Sequence, residues 1–82
     1  MEAKIIVKDC KSKDGKKSFK TFKLVGENGK LIDCVMCKSI EASKRAELES
    51  FYKAKVVGDI SINYNYEYPK AFVRSLEQVE KA

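Results

Sequence analysis

The sequence contains no histidine and no tryptophan, and it has a single proline among 82 residues. Histidine is the commonest general base and metal ligand in proteins, so its absence excludes Ser-His-Asp and Cys-His nucleophiles within one chain. The carboxylates do not form a spaced pair on any predicted face. We therefore expect that the protein is not an enzyme and uses no cofactor.

Cysteine is also scarce, with three residues, an odd number that cannot close a disulfide framework. Reduced thiols indicate the cytosol. Cys34 and Cys37 form a lone C-x-x-C, but a structural zinc site takes four Cys or His ligands, and a redox motif begins a helix. This pair falls in a predicted strand, so we interpret both as small apolar strand residues and predict no metal site.

Long apolar runs are missing as well. Spanning a bilayer takes about 20 apolar residues, whereas the run between Lys4 and Lys8 is too short even for a signal peptide core of about 7–15 residues. We expect a cytoplasmic protein with no membrane partner. The composition, 44% hydrophobic and 35% charged, is typical of a globular domain. A chain of this length suits one domain, residues 1–82.

The formal net charge is +5, and it is unevenly distributed. Residues 1–30 hold nine lysines and four acids, whereas residues 31–82 hold eight basic and eight acidic residues. A localised positive field attracts anionic partners. The alternative interpretation is that the lysines only keep a small protein soluble.

The first 37 residues predict a three-stranded antiparallel meander. β-Branched and aromatic residues are frequent in three segments, which is typical of strands: 4–10, 18–25 and 30–37. Asp14-Gly15 and Asn28-Gly29 separate them, and both pairs favour tight turns because their residues tolerate positive φ.

The rest of the chain predicts a helix and two further strands. Residues 39–51 are good helix formers, with Ser39 as the expected N-cap. Residues 53–62 predict a fourth strand in which Gly58 marks a bulge or bend. Residues 71–79 predict a fifth strand or, alternatively, a C-terminal helix. The order β-β-β-α-β-β is that of an OB-fold, a five-stranded barrel, although other small domains, including SH3-like ones, also fit. The predicted fold class is mainly β.

Two segments contain candidate binding residues. Lysines, which neutralise phosphates without reading bases, are dense in the first: Lys11, Lys13, Lys16, Lys17, Lys20 and Lys23. Aromatic rings, on which a base stacks with roughly 1–3 kcal/mol, mark the second: Tyr64, Tyr66 and Tyr68, followed by Lys70, Phe72 and Arg74. The alternatives are a solvated hairpin tip, and tyrosines that pack on the barrel or form a protein-binding face.

In an OB-fold these segments become the β1-β2 and β4-β5 loops. Those loops, together with the face of the second and third strands, bind oligonucleotides. The second strand adds Phe19 and Phe22. We therefore predict that both loops border one concave surface that binds single-stranded nucleic acid.

With a Lys-rich first loop and an aromatic last loop, the chain resembles small OB-fold single-stranded-DNA-binding proteins. Residues 65–73, Asn-Tyr-Glu-Tyr-Pro-Lys-Ala-Phe-Val, are also similar to short proteins carried by phages of Gram-positive bacteria. The first resemblance implies binding with little sequence preference, DNA being favoured, often as a homo-oligomer. The chain departs from bacterial single-strand binders because it lacks tryptophan and an acidic tail.

Two other hypotheses remain open. The protein is alternatively a phage-type protein-interaction or inhibitor domain that binds a host protein, with the tyrosines as the contact surface. A third hypothesis is self-assembly through an open edge strand.

Overall fold

The elements of the protein follow the predicted order β-β-β-α-β-β. The computed structural model describes residues 1–82. The elements are β1 (Glu2–Lys11), β2 (Ser18–Val25), β3 (Leu31–Met36), α1 (Ala42–Phe51), β4 (Lys53–Asn63) and β5 (Lys70–Lys81). The strands close into a barrel in the order β1-β2-β3-β5-β4. This mainly β, OB-fold-like architecture confirms the predicted fold, and the alternative of a C-terminal helix was wrong.

Two strands of the barrel pair over only part of their length. β1 pairs with β2 as far as Lys11, but with β4 only up to Ile6, so the β1-β2 hairpin extends beyond the rest of the sheet. β2 pairs with β3 through three residues, Lys23–Val25. β3 then runs parallel to β5, from Asp33 opposite Lys70 onward. The N-terminal half of β2 and the C-terminal half of β3 are therefore not paired with each other.

The core follows the two-residue alternation of the strands. It consists of twelve buried side chains: Ile5, Val7, Phe22, Leu24, Ile40, Leu48, Ala54, Val56, Ile60, Ala71, Val73 and Leu76. On β2, Phe22 and Leu24 point inward, while Phe19, Thr21 and Lys23 point outward. Each large apolar side chain that is fully buried stabilises the fold by about 1.5–3 kcal/mol.

Gly58 lies at the bulge predicted for β4. The register between β4 and β5 shifts between Val57 and Gly58 and again between Asp59 and Ile60. A Cβ atom placed on Gly58 would lie 2.1 Å from the Ser75 carbonyl oxygen. The absence of a side chain therefore allows β5 to cross close to β4, and the bulge bends the strand as barrel closure requires.

Helix α1 begins later than predicted, at Ala42, and Glu41 precedes it without a capping side-chain bond. The prediction that Ser39 caps the helix was wrong. Residues 37–40 form a turn, and the Ser39 hydroxyl donates instead to the Arg74 carbonyl oxygen, at 2.7 Å. The helix ends at Tyr52, which adopts the left-handed conformation at φ 60°. No helix is long and apolar enough to cross a membrane.

Candidate functional site

The loop between β1 and β2, with the last residue of β1, forms the hairpin tip, residues 11–17. Gly15 takes a φ of 71°, and its N–H donates to the Ser12 carbonyl oxygen at 2.9 Å. The Ser12 hydroxyl and the Lys16 N–H both donate to the Asp14 carboxylate. These bonds, the one from Ser12 first, hold the pKa of Asp14 below its usual value. The only acid of the tip is therefore engaged by the turn itself.

Four lysines of the hairpin tip are exposed and form none of the ion pairs of the protein: Lys11, Lys13, Lys16 and Lys17. With Asp14 as the only acid, residues 11–17 have a net charge of +3. A polyanion therefore meets ammonium groups that no carboxylate neutralises.

Lys20 and Lys23, predicted to join the same basic surface, are paired with carboxylates. The Lys20 Nζ lies 2.6 Å from Asp9 Oδ1, and Lys23 bonds to Asp33. Both acids are directly opposite these lysines on the adjacent strands, where opposite charges attract. A phosphate would have to compete with these carboxylates, so both lysines are weaker candidates than the lysines of the tip.

Lys20 and Asp9 also contact Tyr52, which ends helix α1. The Tyr52 hydroxyl donates to Asp9 Oδ2 at 2.9 Å and accepts from the Lys20 Nζ, also at 2.9 Å. Hydrogen bonds from Lys20 and then Tyr52 lower the pKa of Asp9, and the bond to Asp9 raises the pKa of Lys20. These three side chains, the Tyr52 latch, connect the protruding hairpin to the helix.

The two phenylalanines of β2 have different environments. Phe19 points outward and is 50% exposed. Phe22 is only 6% exposed, and the Arg45 guanidinium carbon lies 5.6 Å from the centre of its ring. The inclusion of Phe22 among the stacking residues therefore needs correction, because a ring in the barrel core offers no face to a base.

The tyrosine loop, residues 64–69, exposes all three of its phenol rings. Tyr64 and Tyr68 are 70% and 72% exposed, and Tyr66 is 47% exposed. The Tyr66 ring lies 6.3 Å from that of Phe72, and the Lys70 Nζ lies 5.1 Å from the Tyr66 ring. Tyr66 is thus held against β5, whereas Tyr64 and Tyr68 project into solvent.

Arg74, the last predicted site residue, lies on β5 and faces β4. One of its guanidinium nitrogens donates to the Ser61 hydroxyl at 3.0 Å and lies 3.7 Å from Asp59 Oδ1. Like Lys20 and Lys23, this cation already has a carboxylate partner.

A groove of about 1030 Å³ separates the tyrosine loop from the turn between β2 and β3. Tyr64, Tyr68 and Leu31 are among its lining residues. Six charged side chains line the groove: Glu2, Glu27, Asp33 and Glu67, with Lys23 and Lys30. The amino-terminal ammonium group, also at the groove, donates to the Gly58 carbonyl oxygen at 2.9 Å. With the amino-terminal ammonium included, the groups that line this tyrosine groove have a net charge of −1, and two of its carboxylates, Glu2 and Asp33, already pair with Lys55 and Lys23.

The hairpin tip and the tyrosine groove lie at opposite ends of β2. The tip precedes Ser18, whereas the groove includes Val25 and the turn after it. The groove begins at Lys23, so five residues of extended strand, 18–22, lie between the two, and Lys17 is about 20 Å from Lys23. The groove includes no residue of the hairpin tip, so the two predicted loops do not line one pocket. The outer face of β2 connects them.

Two features of the protein surface were not predicted from the sequence: the exposed Val35 side chain and the acidic lining of the tyrosine groove. Val35 is exposed on β3 directly opposite Phe72, and the alternation of β3 was the signal that would have identified it. The acidic lining of the groove had no such signal, because Glu2, Glu27 and Glu67 are far apart in the sequence.

Comparison of the chain with known proteins finds no matching family model, no matching curated protein and no matching solved structure.

Cysteines are also candidate metal ligands and nucleophiles. All three are free thiols, and burial raises the pKa of Cys34 to about 12. Because the thiolate is the metal ligand and the nucleophile, Cys34 is poorly suited to either role. No group of three or more Cys, Asp or Glu side chains is placed to hold a metal ion.

Proposed function

We propose that the protein binds single-stranded nucleic acid, with DNA favoured and with little sequence preference, along the outer face of β2. One observation supports this most strongly. Phe19, which is 50% exposed, lies at the base of a hairpin tip whose four lysines have no carboxylate partner. Unpaired cations beside an open aromatic face are the combination by which proteins hold a single strand and stack its bases.

A second group of apolar and aromatic residues lies on β3, on β5 and in the tyrosine loop. Val35 and Phe72 are neighbours across the β3-β5 pair, and Tyr66 packs on Phe72 with Lys70 beside its ring. In this proposal the tip lysines bind phosphates, while Phe19 and Tyr66 offer stacking faces. Tyr64 and Tyr68 lie in an acidic groove that repels phosphates, so they contribute little.

The proposal predicts a strong dependence of affinity on salt. Four phosphate contacts on a single strand give a slope of about −2.8 for log K against log salt, since each contact contributes about −0.7. Base stacking adds a part of the affinity that salt does not screen.

Fluorescence anisotropy with a labelled oligothymidylate of about 16 nucleotides, at about 0.05 M and 0.2 M salt, tests the proposal. K13Q/K16Q should bind more weakly and with a flatter slope. The matched control K53Q/K81Q removes the same charge on the β4-β5 side and should bind nearly as the wild type does. F19A should lose more affinity than F19L. Absence of binding at the lower salt concentration would reject the proposal.

A second candidate function, binding a host protein, is favoured by the exposure of Tyr64 and Tyr68 at the edge of a groove. Tyrosine is enriched at the energetic centres of protein interfaces. A defined partner retained on the immobilised protein after nuclease treatment, and lost with Y64A/Y68A, would favour this function over nucleic-acid binding.

A further inference from the structure

We propose that the hairpin tip of one molecule docks into the tyrosine groove of a second copy, so that the protein assembles head to tail. This inference does not depend on the proposed function, because it rests on the charges and positions of the two surfaces.

The two surfaces have complementary charge. Residues 11–17 have a net charge of +3, and the groups that line the groove, the amino terminus included, have a net charge of −1, with Glu27 and Glu67 as its two carboxylates outside any ion pair. The whole chain, by contrast, has a charge of +5, so random encounters between copies are repulsive. Attraction between copies is therefore local: at physiological ionic strength charges are screened beyond about 8 Å, so the tip is attracted to carboxylates that it approaches closely, such as Glu27 and Glu67 of the groove.

The side chains on the two surfaces also suit each other. Ammonium groups are attracted to the faces of aromatic rings, and this protein uses that contact twice: Lys20 lies 4.6 Å from the Tyr52 ring, and Lys70 lies 5.1 Å from the Tyr66 ring. Tyr64 and Tyr68 have exposed rings with no cation beside them. Lys13 and Lys16, on either side of the Asp14-Gly15 turn, are cations without a partner.

The positions of the surfaces determine the symmetry of the assembly. Because the tip and the groove lie at opposite ends of β2, a molecule cannot fill its own groove with its own tip. The contact joins two different surfaces and is therefore heterologous, which produces open chains or closed rings, whereas an isologous dimer would use the same surface on both molecules. Each added copy leaves one tip and one groove free.

Under the proposed function, nucleic acid and the second copy use the same lysines, and this one consequence rests on that function. An oligonucleotide that neutralises the hairpin tip removes the charge that the groove attracts, so it should dissociate the assembly. In the free protein, the hairpin tip of each molecule would then be covered by the groove of a neighbour until a polyanion displaces it.

Sedimentation velocity from micromolar to millimolar protein, at about 0.05 M and 0.2 M salt, measures the assembly. Wild type should increase in mass with concentration, and less so at the higher salt concentration. The variants K13E/K16E and E27K/E67K should each be monomeric, because tip and groove then carry the same sign. The control K53E/K81E changes the same charge elsewhere and should still associate.

Mixing the two charge-reversed variants gives the decisive result. The acidic tip of one then fits the basic groove of the other, and the remaining tip and groove also match, so an equimolar mixture should recover the wild-type association. Circular dichroism confirms that each variant is folded.

Three outcomes would overturn the proposal. These are a wild type that stays monomeric throughout, association that survives both charge reversals, which would indicate edge-strand pairing, and a mixture that remains monomeric. Oligonucleotide binding is measured separately by anisotropy, so failure of the proposed function leaves this result interpretable.

Discussion

The hairpin tip and the tyrosine groove are both exposed loop regions beside the same strand, yet they differ in charge. The tip has four unpaired lysines, and its one acid, Asp14, is bonded within the turn. The groove is lined by exposed tyrosines together with four carboxylates, two lysines and the amino terminus. An exposed aromatic ring therefore does not identify a nucleic-acid surface by itself, because the charge around the ring decides which partner approaches it.

The lysines of β2 and of the loop before it show the same dependence on neighbouring charge. Lys20 and Lys23 lie within the ladder, where Asp9 and Asp33 occupy the directly opposite positions. Lysines in the loop have no residue opposite them. Lysines from the same basic segment of the sequence therefore differ in whether a carboxylate neutralises them.

The largest expected effect comes from a substitution that destabilises the whole barrel and so affects both surfaces together. Gly58→Ala places a Cβ atom 2.1 Å from the Ser75 carbonyl oxygen in the bulge that closes the barrel. We expect a loss of about 3 kcal/mol or more in the free energy of unfolding. Gly15→Ala, which has open space but a φ of 71°, is the matched control and should cost about 1–2 kcal/mol. Urea denaturation of the two variants checks this, and equal losses would contradict the account of the bulge.

The next effect separates the two regions. Replacing Lys11, Lys13, Lys16 and Lys17 by Gln should weaken oligothymidylate binding on the order of 100-fold at about 0.1 M salt and should flatten the salt slope. Y64A/Y68A should change the affinity less than about threefold, since its rings lie beyond the phosphate path. A larger loss from the tyrosine variant would reverse our assignment of the two surfaces.

A smaller effect distinguishes stacking from charge. Tyr66→Ala should cost about 1–3 kcal/mol of binding free energy, and the loss should persist when salt is raised. Lys16→Ala should lose its effect at high salt because the contact is screened. Anisotropy titrations of both variants at two salt concentrations provide the measurement. Parallel salt dependence of the two variants would argue against a stacking role for Tyr66.

The smallest effect concerns the Tyr52 latch, which holds the hairpin but does not touch the tyrosine loop. The pKa of Asp9 is lowered below its usual 3.8, so its stabilising contribution is present above that value and is lost as the pH falls through the lowered pKa. Lys20 has a raised pKa, and its contribution is lost only as the pH rises through that value.

Tyr52→Phe should therefore lower the melting midpoint by a few degrees at neutral pH. Wild type and variant should converge in strong acid, where the Asp9 carboxylate is protonated. Thermal melts followed by circular dichroism from neutral to acidic pH test this prediction. A difference that stays constant across that range would show that Asp9 is not the acceptor that matters.

Local sequence signals were sufficient for most of the fold. β2 was predicted with its observed bounds, both turn glycines have positive φ, and Gly58 lies at a bulge. Ser39 was misassigned because its partner, the Arg74 carbonyl oxygen, is 35 residues away. The site was harder to predict because its character depends on such distant partners, the carboxylates beside Tyr64 and Tyr68 above all.

The three-residue ladder between β2 and β3 has a mechanical consequence. A closed barrel separates most readily at the strand pair with the fewest paired residues. Here that position is the contact of Lys23–Val25 with β3. Thermal breathing of the barrel should therefore start at this seam and leave the longer β1-β2 hairpin intact. Separation of β2 from β3 at this position would move the β1-β2 hairpin and its tip relative to the tyrosine loop, which stays attached to β4 and β5.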